Sequence, residues 1–220
     1  MESYSWALEA YRDGAVFTAF DIETTGLDPK QDRIVEIGAL KFDKRGPAAR
    51  FSVLINPGVP MNEAAEKVNN ISDAMLAGKP ALEEILPDFL MFTGNTVIIA
   101  HNAPFDCGFV NEALKRLYEK APARREDSSQ GDLLLSFGEA APEAPSWTPP
   151  FPALPNRIAD TLVMARAAFP GRPGYSLQAL ASGLGITATE AHRAEDDSRL
   201  CMEIFLRIAG QTAWYLPDRE

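Results

Sequence analysis

The chain has 220 residues, of which 46% are apolar and 24% charged, so it is long enough for one generous globular domain and too apolar to be disordered throughout. Its net charge of −10 excludes a broad basic face for gripping nucleic acid, although an acidic site could still reach phosphates through metal ions. Apolar runs such as Val97–Ala100 are too short to cross a membrane, the start carries no secretory signal, and Cys107 and Cys201 cannot make a disulfide framework; a reduced, cytoplasmic setting is expected.

The first third reads as strands. Ala15–Phe20 is a β-prone run leading into Asp21-Ile-Glu-Thr-Thr-Gly-Leu-Asp28, and Gly26 with Asp28-Pro29 ends it in a turn. Arg33–Phe42 and Arg50–Ile55 are the next two strands, the last stopped by Asn56-Pro57-Gly58. Such close succession predicts an antiparallel meander. A short helix capped by Ser72 and Asp73 follows, ending at Gly78, and then a helix over Ala81–Phe92 closed by Gly94-Asn95. Thr96–Ala100 is a buried strand and Phe105–Leu117 a helix. Alternation of strand and helix here points to parallel pairing. The expected fold is therefore a mixed α/β sheet, three antiparallel strands then parallel ones, flanked by helices.

Residues 120–156 break the pattern with seven of the seventeen prolines and the polar run 124–131. Composition of this kind builds no continuous core, so it reads as a loop inserted into one domain. Order resumes at Ile158, with helices over Thr161–Phe169, Leu177–Leu184 and Arg193–Ile208, and a short tail over 210–220. The first dozen residues carry no clear signal.

Chemistry concentrates in four carboxylates. Asp21 and Glu23 stand two apart on a strand and so project from one face, where like charges raise each other's proton affinity unless a cation lies between them; a solvated strand end would look the same. Asp106 falls on the apolar stripe of Phe109, Val110, Ala113, Leu114 and Leu117, given about 100° per residue in a helix. A carboxylate facing a core needs a partner, a hydrogen bond or a metal, although Asp106 could also cap its helix. Asp197 projects into the stripe of Leu200, Cys201, Ile204, Phe205 and Ile208, whereas Asp196 points aside and reads as solvated. Hard divalent cations with oxygen ligands are the natural counter-charge. His192, five residues before Asp197, carries the side chain suited to accept a proton near neutral pH, or is a surface residue. His101 reads as structural.

These segments resemble a known family. Asp21–Asp28, His101-Asn-Ala-Pro-Phe-Asp106 and His192-Arg-Ala-Glu-Asp-Asp197 are similar to the three motifs of the DEDD exonuclease superfamily, in the histidine branch that includes bacterial proofreading subunits. Tyr175–Ile186 also resembles that family's run before the third motif, and the likeness spans about residues 14–209 outside the insertion. The tyrosine branch would need tyrosine where Arg193 stands. The resemblance implies an RNase H-like fold and 3′→5′ release of nucleoside 5′-monophosphates from single-stranded or frayed ends. It gives Asp21, Glu23, Asp106 and Asp197 the roles of ligands to two Mg²⁺ or Mn²⁺ ions, and His192 that of general base. Thr24, Thr25 and Leu27 would line the terminal nucleotide's pocket; Phe105 would stack there or belong to the core.

The family commonly has His-Gly where Asn69-Asn70 stands here, which leaves open DNA against RNA as substrate. An exoribonuclease of the same fold and a non-catalytic metal- or nucleotide-binding module are the alternatives. Gln211–Leu216 is similar to peptides that dock on sliding clamps, and the end at Glu220 suggests a free-standing exonuclease or a truncated proofreading chain. Two divalent ions would offset the four ligand carboxylates and leave the rest acidic. Weak, salt-sensitive binding to single-stranded DNA is therefore expected unless the enzyme is tethered, for example to a clamp or a DNA polymerase.

Overall fold

A computed structural model of the chain describes residues 4–120, 147–189 and 192–212. Among these residues alternating and doubly apolar runs make five strands: β1 (Phe17–Thr24), β2 (Ile34–Asp43), β3 (Gly46–Leu54), β4 (Val97–Ala100) and β5 (Ile158–Asp160). They form one sheet in the order β3-β2-β1-β4-β5. β1, β2 and β3 pair antiparallel, while β4 and β5 join in parallel. The expected RNase H-like architecture of a meander followed by parallel strands is the one observed. β3 starts four residues earlier than its apolar pattern implied, because Gly46–Ala49 continues the ladder against β2 with exposed side chains.

Among the described residues eight helices flank the sheet: α1 (Ser5–Arg12), α2 (Glu63–Asn69), α3 (Asp73–Leu76), α4 (Leu82–Thr93), α5 (Ala103–Lys120), α6 (Thr161–Ala168), α7 (Leu177–Gly183) and α8 (Ala194–Thr212). α4 carries Pro87 within its first turns, and the Glu84 carboxylate accepts the Ala81 backbone N–H to close its start. Because strand side chains alternate, the two faces of β1 serve two cores. Phe17 and Ala19 pack under α6, α7 and α8, with Phe17 and Phe205 ring centroids 5.0 Å apart. Phe20 and Ile22 pack under α4 and α5. Each fully buried phenylalanine contributes about 1.5–3 kcal/mol.

The expected insertion is only partly an excursion. Of its residues, 121–146 lie outside the described ones, but Trp147 and Leu154 pack on the α4–α5 core. The Leu154 N–H bonds Asn111 Oδ1 at 2.8 Å, and the Asn156 amide donates to Gly94 O and Thr96 O. In Gln211–Leu216, the first two residues end α8 and the rest lies outside the described residues. Among the described residues no helix is long and apolar enough to cross a membrane.

Candidate active site

β1 carries Asp21 and Glu23 out of the α8-facing side of the sheet, past the residues that build the core. The ladder sets Asp21 opposite Gly38 and Glu23 opposite Glu36 on β2. α8 crosses this face and contributes Asp197 from its first turn. Oxygens of Asp21, Glu23 and Asp197 lie within 4.8 Å of one another. Asp106 comes from the far side of the sheet, at the start of α5. It is 2% exposed, and its Oδ1 accepts the Ile22 N–H at 3.2 Å. It is not the cap of α5, which begins three residues earlier.

Burial raises the proton affinity of all four carboxylates, and mutual repulsion adds to it. Asp21 is held well above its ordinary value by burial, then by Asp106, Glu23 and Asp197. Burial and Asp197 push Glu23 up to about 8. Burial pushes Asp106 to about 8 against the opposing Ile22 hydrogen bond. Asp197 reaches only about 6, because the charge of His192 and the Gln178 hydrogen bond offset part of its burial. Gln178 Nε2 donates to Asp197 Oδ1 at 2.7 Å. A group of hard oxygen donors that would hold protons near neutral pH fits hard divalent cations, which would replace those protons.

His192 is exposed and adopts a left-handed backbone, φ +61°, just before α8. Its imidazole charge and its backbone N–H both favour the ionised form of Asp197, which sets it beside the cluster. His101 is elsewhere: Nδ1 meets Thr161 Oγ1 at 3.1 Å and Nε2 meets Tyr175 O at 2.8 Å. Burial holds its imidazole below the usual value, as a structural role requires.

A cleft of about 480 Å³ opens beside Glu23, lined by Thr24, Leu27, Val68, Asn69 and Phe105 among others. Leu27 is 83% exposed at its mouth. Phe105 both faces the cleft and packs on Phe109, ring centroids 5.1 Å apart. Thr24 is buried and turns its hydroxyl to Gly26 O at 2.5 Å. Thr25 lies outside the cleft, its hydroxyl committed to Asp32 and the Arg33 N–H within the β1–β2 turn.

Asp196 differs from expectation. It is buried, not solvated: its carboxylate accepts the Thr189 N–H at 2.8 Å and hydroxyl at 2.7 Å and pairs with Arg199. Helical periodicity placed it off the apolar stripe correctly but could not show that Thr189 folds back onto it. Gln178 had no role in the sequence reading, and Asn69 entered it only as a departure from the family's His-Gly. Asn69 Nδ2 donates to Thr24 O at 3.3 Å, Oδ1 accepts the Ile71 N–H at 3.1 Å, and the amide also bonds Glu23. Asn70 takes φ +56° as the C-cap of α2, a conformation asparagine tolerates better than most residues.

The exonuclease family's sequence pattern matches residues 18–205. The DNA polymerase III subunit epsilon of Treponema pallidum (strain Nichols) is 42% identical over 212 residues, spanning 96% of this chain and 83% of the relative. A solved Exonuclease X in complex with 5′ overhanging duplex DNA superposes with a TM-score of 0.63 at 24% identity, covering 90% of this chain and 93% of that one. E. coli Exonuclease I in complex with a dT13 oligonucleotide gives a TM-score of 0.66 at 19% identity, covering 91% of this chain and 42% of that one. At such identities the two structures speak for the fold alone. The chain belongs to the exonuclease family, whose chemistry depends on divalent metal ions. Its kinship lies with the epsilon subunits of DNA polymerase III, and it is a 3′→5′ exonuclease, a phosphodiester hydrolase.

Proposed function

We propose that this single exonuclease domain removes nucleoside 5′-monophosphates from single-stranded or frayed DNA 3′ ends in the cytoplasm, in proofreading or repair. One observation carries the reading. Asp21, Glu23 and Asp197, from two distant segments, bring oxygens within 4.8 Å of one another, with Asp106 close enough to repel Asp21 and His192 beside Asp197. Kinship with a DNA polymerase III subunit favours DNA and a polymerase partner.

Asp21, Glu23, Asp106 and Asp197 would hold two Mg²⁺ or Mn²⁺ ions. Asp21 is repelled by Asp106, Glu23 and Asp197 alike, so it would share in holding the ions with each of them. When bound, such ions neutralise the phosphodiester and lower the proton affinity of an attacking water. His192 takes that water's proton. Asp197 orients the His192 backbone through its N–H, and Gln178 keeps Asp197 turned into the site. Leu27 and Phe105 offer apolar surface to the terminal base, while Thr24 shapes the cleft floor and Thr25 the turn that presents Leu27. Gln211–Leu216 is a candidate tether to a sliding clamp.

Matched 3′-labelled DNA and RNA oligonucleotides incubated with Mn²⁺ test this. Stepwise release of 5′-mononucleotides, faster from DNA, is expected. Preference for RNA would make the protein an exoribonuclease of the same fold, and no release from either would make it a binding module.

A further inference from the structure

α8 starts directly on the surface of β2. A β-carbon added at Gly38 would lie 2.1 Å from the Ala194 carbonyl carbon and 2.3 Å from the Glu195 nitrogen, so backbone rests on backbone. Two residues away on the same face of β2, Glu36 is 2% exposed. Its Oε2 accepts the Ala194 N–H at 3.1 Å and Arg193 Nε at 3.1 Å, and its Oε1 accepts an Arg193 terminal nitrogen at 2.8 Å. A two-pronged pairing of this kind fixes orientation as well as distance, and the carboxylate also meets the positive end of the α8 dipole.

This seat is built into the strand pair that bears the site. Glu36 stands opposite Glu23 and Gly38 opposite Asp21 in the ladder. The residue immediately before the clamped Arg193 is His192, held in the left-handed conformation. Within α8, Asp196 grips Thr189 through its N–H and hydroxyl. The residues that directly follow the imidazole are thus pinned by a strand residue 157 positions away.

We propose that Glu36 is a positioning residue for His192: by clamping Arg193 and Ala194 onto β2, it fixes the imidazole relative to Asp21, Glu23 and Asp197. The proposal rests on the reading of His192 as the proton acceptor. Glu36 also repels Asp21 and Glu23, an effect that persists without His192, whereas its hold on the imidazole runs through Arg193 and Ala194.

A kinetic cycle distinguishes positioning from plain stabilisation. Wild type, Glu36→Gln, His192→Ala and the double variant are assayed on a 3′-labelled single-stranded oligonucleotide with Mn²⁺, alongside the Tm of each. Glutamine keeps an oxygen for the Ala194 N–H and removes the charge that orients Arg193. Glu36→Gln is expected to lower kcat about tenfold with KM within about twofold, since small misplacements of a reacting group are costly. Once His192 is removed, the same change is expected to cost less than about twofold, because groups acting as one unit are not additive. Equal losses in both backgrounds, or a rise in KM that matches the fall in kcat, overturn the proposal. If His192→Ala alone keeps wild-type kcat, the reading of His192 fails first and the proposal falls with it. Should Glu36→Gln not fold, Arg193→Gln, which leaves the Ala194 cap intact, reads out the same cycle.

Discussion

The Asp106 carboxylate accepts the Ile22 backbone N–H at 3.2 Å, beyond the point where β1 still pairs with β4. That ladder runs only from Phe17 with Val97 to Ala19 with Ile99, so Asp106 supplies the partner that the sheet no longer does. Asp106→Asn keeps an oxygen there and removes a charge from the cluster. It is expected to fold, with a Tm in EDTA at pH 8 no lower than wild type, while exonuclease turnover falls by about 100-fold or more. Asp106→Ala leaves the buried N–H unpaired and is expected to lose about 1–3 kcal/mol in denaturant unfolding.

Metal and pH are coupled through the same group. Unfolded carboxylates titrate near 4, whereas burial and repulsion hold Glu23 and Asp106 at about 8 and Asp197 at about 6. Between those limits the unfolded chain has released protons that the folded chain keeps, so the site lowers stability as pH rises from about 4 through about 8. Below that window both states are protonated and the contribution vanishes. Bound divalent cations replace the protons. The rise in Tm from EDTA to Mn²⁺ is therefore expected to be larger at pH 8 than at pH 5.5, and smaller at both in Asp21→Asn. Equal gains at the two pH values in wild type would contradict it.

Leu27 is the exposed apolar residue at the mouth of the cleft. Its truncation removes no core packing, so Leu27→Ala is expected to leave stability within about 0.5 kcal/mol. If it meets the terminal base, KM for single-stranded DNA rises several-fold with a smaller change in kcat. Unchanged KM would place the base elsewhere.

The two histidines are expected to part company. His101→Ala gives up the contacts to Thr161 Oγ1 and Tyr175 O and is expected to lose about 1–3 kcal/mol of stability, with kcat within about threefold below the Tm. Burial lowers the folded pKa of His101, so its own effect destabilises the protein as pH falls below about 6.5, where the unfolded imidazole protonates first. Removing it should flatten the acid limb of the Tm profile. Turnover lost in His101→Ala as fully as in His192→Ala would put both in the chemistry.

The four carboxylates stood out because each breaks a local pattern: Asp21 and Glu23 share one strand face, and Asp106 and Asp197 interrupt apolar stripes; His192 was singled out by its motif spacing and the family resemblance. The meander and the parallel half were legible from turn signals and alternation. α1 was not, since Tyr11 packs on Phe17 at 5.8 Å and on Phe205 at 5.4 Å, and Phe205 is distant in the chain. α2 has almost no buried face, and β5 holds three residues, too few to show a period. Glu36 is one polar residue in the apolar run of β2. Its meaning depends on Arg193, and no spacing rule links positions so far apart.

The central claim, that Asp21, Glu23 and Asp197 are a divalent-metal site, is tested most directly by titrating Mn²⁺ into metal-free protein and following free Mn²⁺ by electron paramagnetic resonance. Wild type is expected to remove Mn²⁺ from solution saturably, and Asp21→Asn, matched in fold by circular dichroism, to weaken that binding at least about tenfold. Identical binding curves for the two proteins would contradict the site.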